Sequence, residues 1–214
     1  MQKALLSVGL LASVSFAAQA QSARFGIKAG ASLTNVTGNN TEDAKNLFGF
    51  HGGLVANLAI NDAFSIQPEL LYSMKGAKAE ESSSFGGVTY SDKVTSRLHY
   101  IDVPVLARIN AGGLFFELGP QIGFLIAAKQ KEEISGGIGS GTYNTDIKDQ
   151  IRTVDFGYAA GLGYQLSNGP GIGLRYNGGF SDTNKNSTSG SSSGSSAVRN
   201  SAFQLYLSYM FGGK

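Results

Sequence analysis

From Val154 to Tyr164 the chain reads VDFGYAAGLGY. Val154, Phe156, Tyr158, Ala160, Leu162 and Tyr164 stand at one parity, and Asp155, Gly157, Ala159, Gly161 and Gly163 at the other. Successive side chains of a strand point to opposite faces, so this alternation predicts a strand with one bulky apolar face and one small or charged face. The same period recurs along the chain. It predicts strands at Arg24–Thr34, Phe48–Ile60, Ala63–Lys75, Leu98–Ala111, Leu114–Ala127, Val154–Tyr164, Gly171–Phe180 and Ala202–Phe211. These segments run to about ten residues, matching the ~9–11 that a tilted strand needs to cross a bilayer. No segment carries a helical period, so the predicted class is all-β.

The connections add independent information. Asn61-Asp62, Gly112-Gly113 and Ser167-Asn168-Gly169 are tight-hairpin sequences, whereas Asn35–Leu47, Gly76–Arg97, Ala128–Thr153 and Ser181–Ser201 are long. Strict alternation of short and long joints is the layout of an eight-stranded antiparallel up-and-down transmembrane β-barrel. Its turns are expected at the periplasmic rim, together with both termini, and its long loops outside the cell.

One face of each strand must then meet lipid and the other the lumen. The non-greasy face carries Arg24, Lys28, His51, Asn57, Gln67, Glu69, Lys75, Asp102, Arg108, Glu117, Gln121, Asp155, Arg175, Asn177 and Gln204, with many glycines between them. An eight-stranded bore is only wide enough to be filled by side chains. The Phe- and Tyr-rich face is therefore expected outside, against hydrocarbon, with this polar set as a structural network inside. Two aromatic girdles agree with that sidedness: Phe48, Phe50, Tyr72, Phe124, Tyr158 and Phe180 near the loop rim, and Phe25, Phe64, Phe116, Tyr164, Tyr209 and Phe211 near the turn rim. A two-residue turn at Gly112-Gly113 sets Arg108 opposite Glu117, and a turn at Asn61–Ala63 sets Asn57 opposite Gln67. Five lumenal cations meet four carboxylates. Near balance of this kind argues for a closed, hydrogen-bonded plug rather than a pore, whose selectivity would call for a ring of one sign.

Composition narrows the chemistry. Lys3, the apolar run Ala4–Ala17 and Ala18-Gln19-Ala20 form a cleavable export signal over residues 1–20, leaving one domain over 21–214. The 214 residues include no Cys, so disulfides and thiolate metal sites are excluded. Loss of Lys3 lowers the formal charge from +2 to +1, which offers no footing for nucleic acid. His51 and His99 are the only histidines. His51 is expected in the lumen near Ser73, but no acid is placed to orient it, so no catalytic residue is assigned. The loop acids, among them Glu42, Asp43, Glu80, Glu81, Asp92, Glu132, Glu133, Asp146 and Asp149, lack the spacing of a calcium loop. Neither a metal nor a cofactor is expected.

QPELLYSMKGAK (Gln67–Lys78), LHYIDVPVLARI (Leu98–Ile109), LFFELGPQIGFLIAAK (Leu114–Lys129) and DFGYAAGLGY (Asp155–Tyr164) resemble the outer-membrane β-barrel family common in Bacteroidetes, often labelled PorT-like. The more specific parts are Tyr-x-acidic-x-Pro at Tyr100–Pro104 and the Gly119-Pro120 step. The terminal Tyr209-Met210-Phe211 is similar to the aromatic signal by which such barrels are inserted, although Gly212-Gly213-Lys214 trails it. The resemblance implies an eight-stranded barrel of the OmpA/OmpX type in the outer membrane, and little about activity.

Function is thus expected in the loops, which would meet protein or envelope partners while the wall meets outer-membrane lipid. Asn184–Ser196 (NKNSTSGSSSGSS) and Gly136–Gly141 (GGIGSG) are expected to be flexible. The competing readings are a lumen-based enzyme or small-solute passage protein, and a soluble lipocalin-like binder with its greasy face turned inward.

Overall fold

The computed structural model describes residues 23–38, 41, 44–85, 88–136, 139–183, 185 and 197–212. The expected export signal, residues 1–20, lies outside the described residues, as does all of Asn184–Ser196 except Lys185. Nine strands are described: β1 (Ala23–Thr37), β2 (Lys45–Ala59), β3 (Phe64–Phe85), β4 (Val88–Ala111), β5 (Leu114–Gly136), β6 (Gly139–Asp146), β7 (Val154–Gln165), β8 (Pro170–Gly179) and β9 (Arg199–Met210). Eight of them form a closed antiparallel ring, β1-β2-β3-β4-β5-β7-β8-β9, with β9 returning to β1. Closure pairs the backbone of each wall strand on both sides, the condition for spanning hydrocarbon without helices.

The tight turns have local causes. The Asn61 side-chain oxygen accepts the N–H groups of Ala63 and Phe64, so one carboxamide shapes the β2–β3 turn. Gly112 and Gly113 adopt φ of 58° and 93°, the left-handed pair that a two-residue hairpin requires, and they bring Ala111 opposite Leu114.

Sidedness follows the alternation. Phe25 is 64% exposed, Leu118 60% and Leu207 64%, while Glu69 and Arg175 are 3% and 2% exposed. An apolar belt running around the whole wall is matched by lipid rather than water, and a lipocalin-like inversion is contradicted by these side chains. Aromatics at both rims stack on one another, as in Tyr158 on Phe180 and Tyr209 against Phe211. The bore is less uniformly polar than its charged residues suggest. Tyr100, Tyr206, Phe115, Leu71 and Leu106 are fully buried within the barrel. Large rings fit where the facing position is glycine: a β-carbon at Gly173 would lie 2.5 Å from the Tyr206 ring.

Two of the expected long loops are largely strand. Gly76–Arg97 is a continuous hairpin in which β3 and β4 stay paired from Gly76↔Arg97 to Phe85↔Val88. Ala128–Thr153 holds the rest of β5, the whole of β6 and one 3-10 turn at Lys148–Gln150. Gly139–Gly141, expected to be flexible, belong to β6. Apolar alternation marks only the lipid-spanning stretch. Above it both faces are wet, and the ladder continues on backbone hydrogen bonds that leave no apolar signature. The result is a four-stranded sheet, β3-β4-β5-β6, projecting beyond the ring. Past Lys78, β3 keeps β4 as its only partner, and β6 pairs with β5 alone among the described residues.

Candidate functional site

Two layers of polar side chains fill the lumen. In the layer nearer the turns, Glu69 on β3 accepts hydrogen bonds from Lys28 Nζ on β1 (2.6 Å), Gln67 Nε2 (2.8 Å) and Arg175 Nη1 and Nη2 on β8 (2.7 and 2.9 Å). Arg175 also donates through Nε to Glu117 on β5 (2.7 Å), and the Tyr206 hydroxyl donates to the same oxygen (2.9 Å). Arg108 stands opposite Glu117 in register, yet it donates to Gln67 (2.9 Å) and Asn110 (3.0 Å) and lies 3.6 Å over the Phe115 ring. Asn57 donates to Ser65 (2.9 Å) and Gln67 (3.3 Å). One network therefore joins seven strands of the wall.

The layer nearer the long strands is built on Lys75. Its Nζ lies 3.0 Å from Asp102 and 3.6 Å from Asp155, and 4.6 Å above the centre of the Tyr100 ring. Asn200 donates to Asp155 at 3.0 Å. Gln121 and Asn177 line a gap of about 10 Å³ beside Asp155 and Asn200, room for about one water. Gln204 is buried on β9 with its side-chain oxygen unpartnered among the described residues. Arg24 stands at the turn end of the first layer. It lines a vestibule of about 760 Å³ open at the turn rim, with Asn57, Asp62, Ser65 and Arg108 among its neighbours.

His51 is buried and stands opposite Ser73 in register, but its Nδ1 meets Ser32 Oγ on β1 (2.9 Å), and Ser73 Oγ has no partner among the described residues. The ring lies edge-on to Tyr206. Among the described residues no carboxylate hydrogen-bonds it, and its Nε2 has no partner.

Asn200 belongs to these layers without having been singled out from sequence. Asn200 continues the inward parity of Ala202, Gln204 and Tyr206, and β9 begins at Arg199 rather than Ala202. Its signal was present, but it lies beyond the last large apolar residue of the strand.

Above the ring, Tyr90, Ile134 and Tyr143 are exposed and share one face of the projecting sheet. They surround a shallow pocket of about 330 Å³ floored by Gly136, Gly139 and Gly141. On the opposite face, hydrogen bonding to Lys45 and that lysine's charge hold the Glu80 carboxyl below the usual range, and Lys131 does the same for Glu133.

Residues 18–185 match the family model described as the outer membrane protein β-barrel domain. The chain belongs to this family. No curated protein matches the sequence. Among solved structures, it is similar to Ail, the attachment invasion locus protein of Yersinia pestis, with 16% identity, a TM-score of 0.44, and 88% of this chain and 99% of that one covered. It is also similar to neisserial surface protein A (14%, 0.44, 87% and 97%) and to the outer membrane protease OmpT of Escherichia coli (11%, 0.40, 88% and 96%). The chain is an integral outer-membrane barrel, and relationships this distant say nothing further about its chemistry.

Proposed function

We propose that this barrel is a surface docking scaffold that presents its projecting sheet outside the cell and captures an extended polypeptide segment along β6. The observation that carries this reading is the outer edge of β6, unpaired among the described residues. Eight residues without proline pair with β5 on one side only, beside a face that exposes Tyr90, Ile134 and Tyr143. An unpaired edge offers a row of N–H and C=O groups to an incoming strand, and a neighbouring apolar face selects every second side chain of that strand.

Three further assignments accompany this reading. The export signal is removed after Ala20, so that the mature chain starts at Gln21 with both termini in the periplasm. The two lumenal layers are a structural plug, neither conduit nor catalytic centre, because short ion pairs and buried rings occupy the bore. Within the family, the chain sits in the PorT-like branch, supported by the Tyr100–Pro104 and Gly119-Pro120 motifs.

The test uses a short synthetic peptide that alternates apolar and polar residues, and a second of the same composition with its apolar residues in one block. With the full protein in nanodiscs, the alternating peptide should protect β6 amides from exchange and shift the Tyr90 and Tyr143 resonances, and Tyr143→Ala should weaken it. Equal binding of both peptides, or protection confined to other strands, overturns the proposal.

A further inference from the structure

The outward face of the wall changes chemistry at one height. Down β4 its outward positions are Ile109, Ala107, Val105, Val103 and Ile101, and then His99, whose Nδ1 meets the Tyr72 hydroxyl of β3. Ten residue steps from Ile109 to His99, at a rise of ~3.3 Å and a tilt of ~40°, span ~25 Å, the height of a barrel's apolar band. The next outward residue is Arg97, directly opposite Lys129 on β5. One row further out, Lys78 and Lys131 flank Thr95, and Lys45 of β2 stands opposite Lys78. Five cations thus occupy two successive outward rows, with Asp146 of β6 the one acid paired into them.

Their partners separate them into two kinds. Lys45 is bound to Glu80 at 2.6 Å and Lys131 to Glu133 at 2.7 Å, acids that lie one row further from the membrane. Arg97, Lys129 and Lys78 make no ion pair among the described residues. Cations without a contact ion pair just past the hydrocarbon edge, above a tyrosine–histidine pair suited to an interface, complement the charge of lipid head groups.

We propose that Arg97, Lys129 and Lys78 form a collar that binds anionic phosphate head groups of membrane lipid. Arg97 supplies a planar donor fork that matches phosphate oxygens, and the two lysines supply flexible point charges on either side. The inference rests on the lipid-facing wall and does not depend on partner capture at β6 or on which leaflet the collar meets, because symmetric nanodiscs present the same lipid at both rims.

The experiment places the full protein in phosphatidylcholine nanodiscs doped with phosphatidic acid or with diacylglycerol of the same chains, and measures which lipid stays bound after mild detergent exchange. Phosphatidic acid should be retained and diacylglycerol lost. Each removed charge should weaken retention ~5-fold, giving ~100-fold for Arg97→Gln, Lys78→Gln and Lys129→Gln together. The triple variant must still migrate as a compact barrel in unheated gels, and Lys93→Gln, one row further out, should behave like the parent protein. Equal retention of both lipids, an unaffected triple variant, or displacement of the lipid by an equal concentration of inorganic phosphate overturns the proposal.

Discussion

Replacing Glu69 by Gln tests whether the lumenal network holds the barrel together. The turn-side layer holds three cations, Lys28, Arg108 and Arg175, against two carboxylates, Glu69 and Glu117, all at most 5% exposed. In Glu69→Gln, Glu117 remains the one carboxylate against three cations, and Lys28 loses its ion-pair partner while keeping its position over the Tyr206 ring, 4.0 Å from the centroid. Breaking a buried pair by removing one partner costs about 3–5 kcal/mol, because the remaining charge has no water to turn to. With a urea dependence of ~2 kcal/mol per M, the unfolding midpoint should fall by about 2 M. Tyrosine fluorescence in lipid vesicles reports the transition, since the chain has no Trp. Adding Lys28→Met removes the stranded cation and should recover at least half of the loss. A midpoint change below ~0.5 M, or a double variant no better than the single, would refute the view that these charges are mutually dependent.

Purified protein in planar bilayers should give no sustained single-channel steps, because the Lys28–Glu69–Arg175–Glu117 pairs and the Tyr206 ring cross the bore; stable openings by the parent protein would contradict the closed lumen. Gly173→Ala places a methyl 2.5 Å from the Tyr206 ring and should destabilise by about 1–3 kcal/mol, measured by the same urea transition. The Glu80 carboxyl is held down by Lys45, so its contribution is complete above the unfolded value near 4.5 and is lost as pH falls through the lower folded value. Carboxylate titration by NMR should place its midpoint below 4.5, and Lys45→Gln should move it upward toward that value.

Much of the candidate site was legible because parity in a strand is a hard geometric rule. Once Phe25, Leu54 and Leu118 face lipid, Lys28, Glu69 and Glu117 must face the bore, and a two-residue glycine turn is enough to set Arg108 against Glu117. Partner choice was not legible. Arg108 bonds Gln67 while Arg175, from a strand far away in sequence, takes Glu117, because the closed ring brings β3, β5 and β8 to a common axis.

Sequence alone determined the eight crossings, their sidedness and the positions of the tight turns, since each depends on near neighbours along the chain and on alternation imposed by lipid. Only the tertiary structure decided how far β3, β4 and β5 run past the membrane, that β6 stands outside the ring with one edge unpaired among the described residues, and which charges pair across the lumen. Those features rest on backbone hydrogen bonds and contacts across the ring, and neither depends on the apolar period that makes a strand readable.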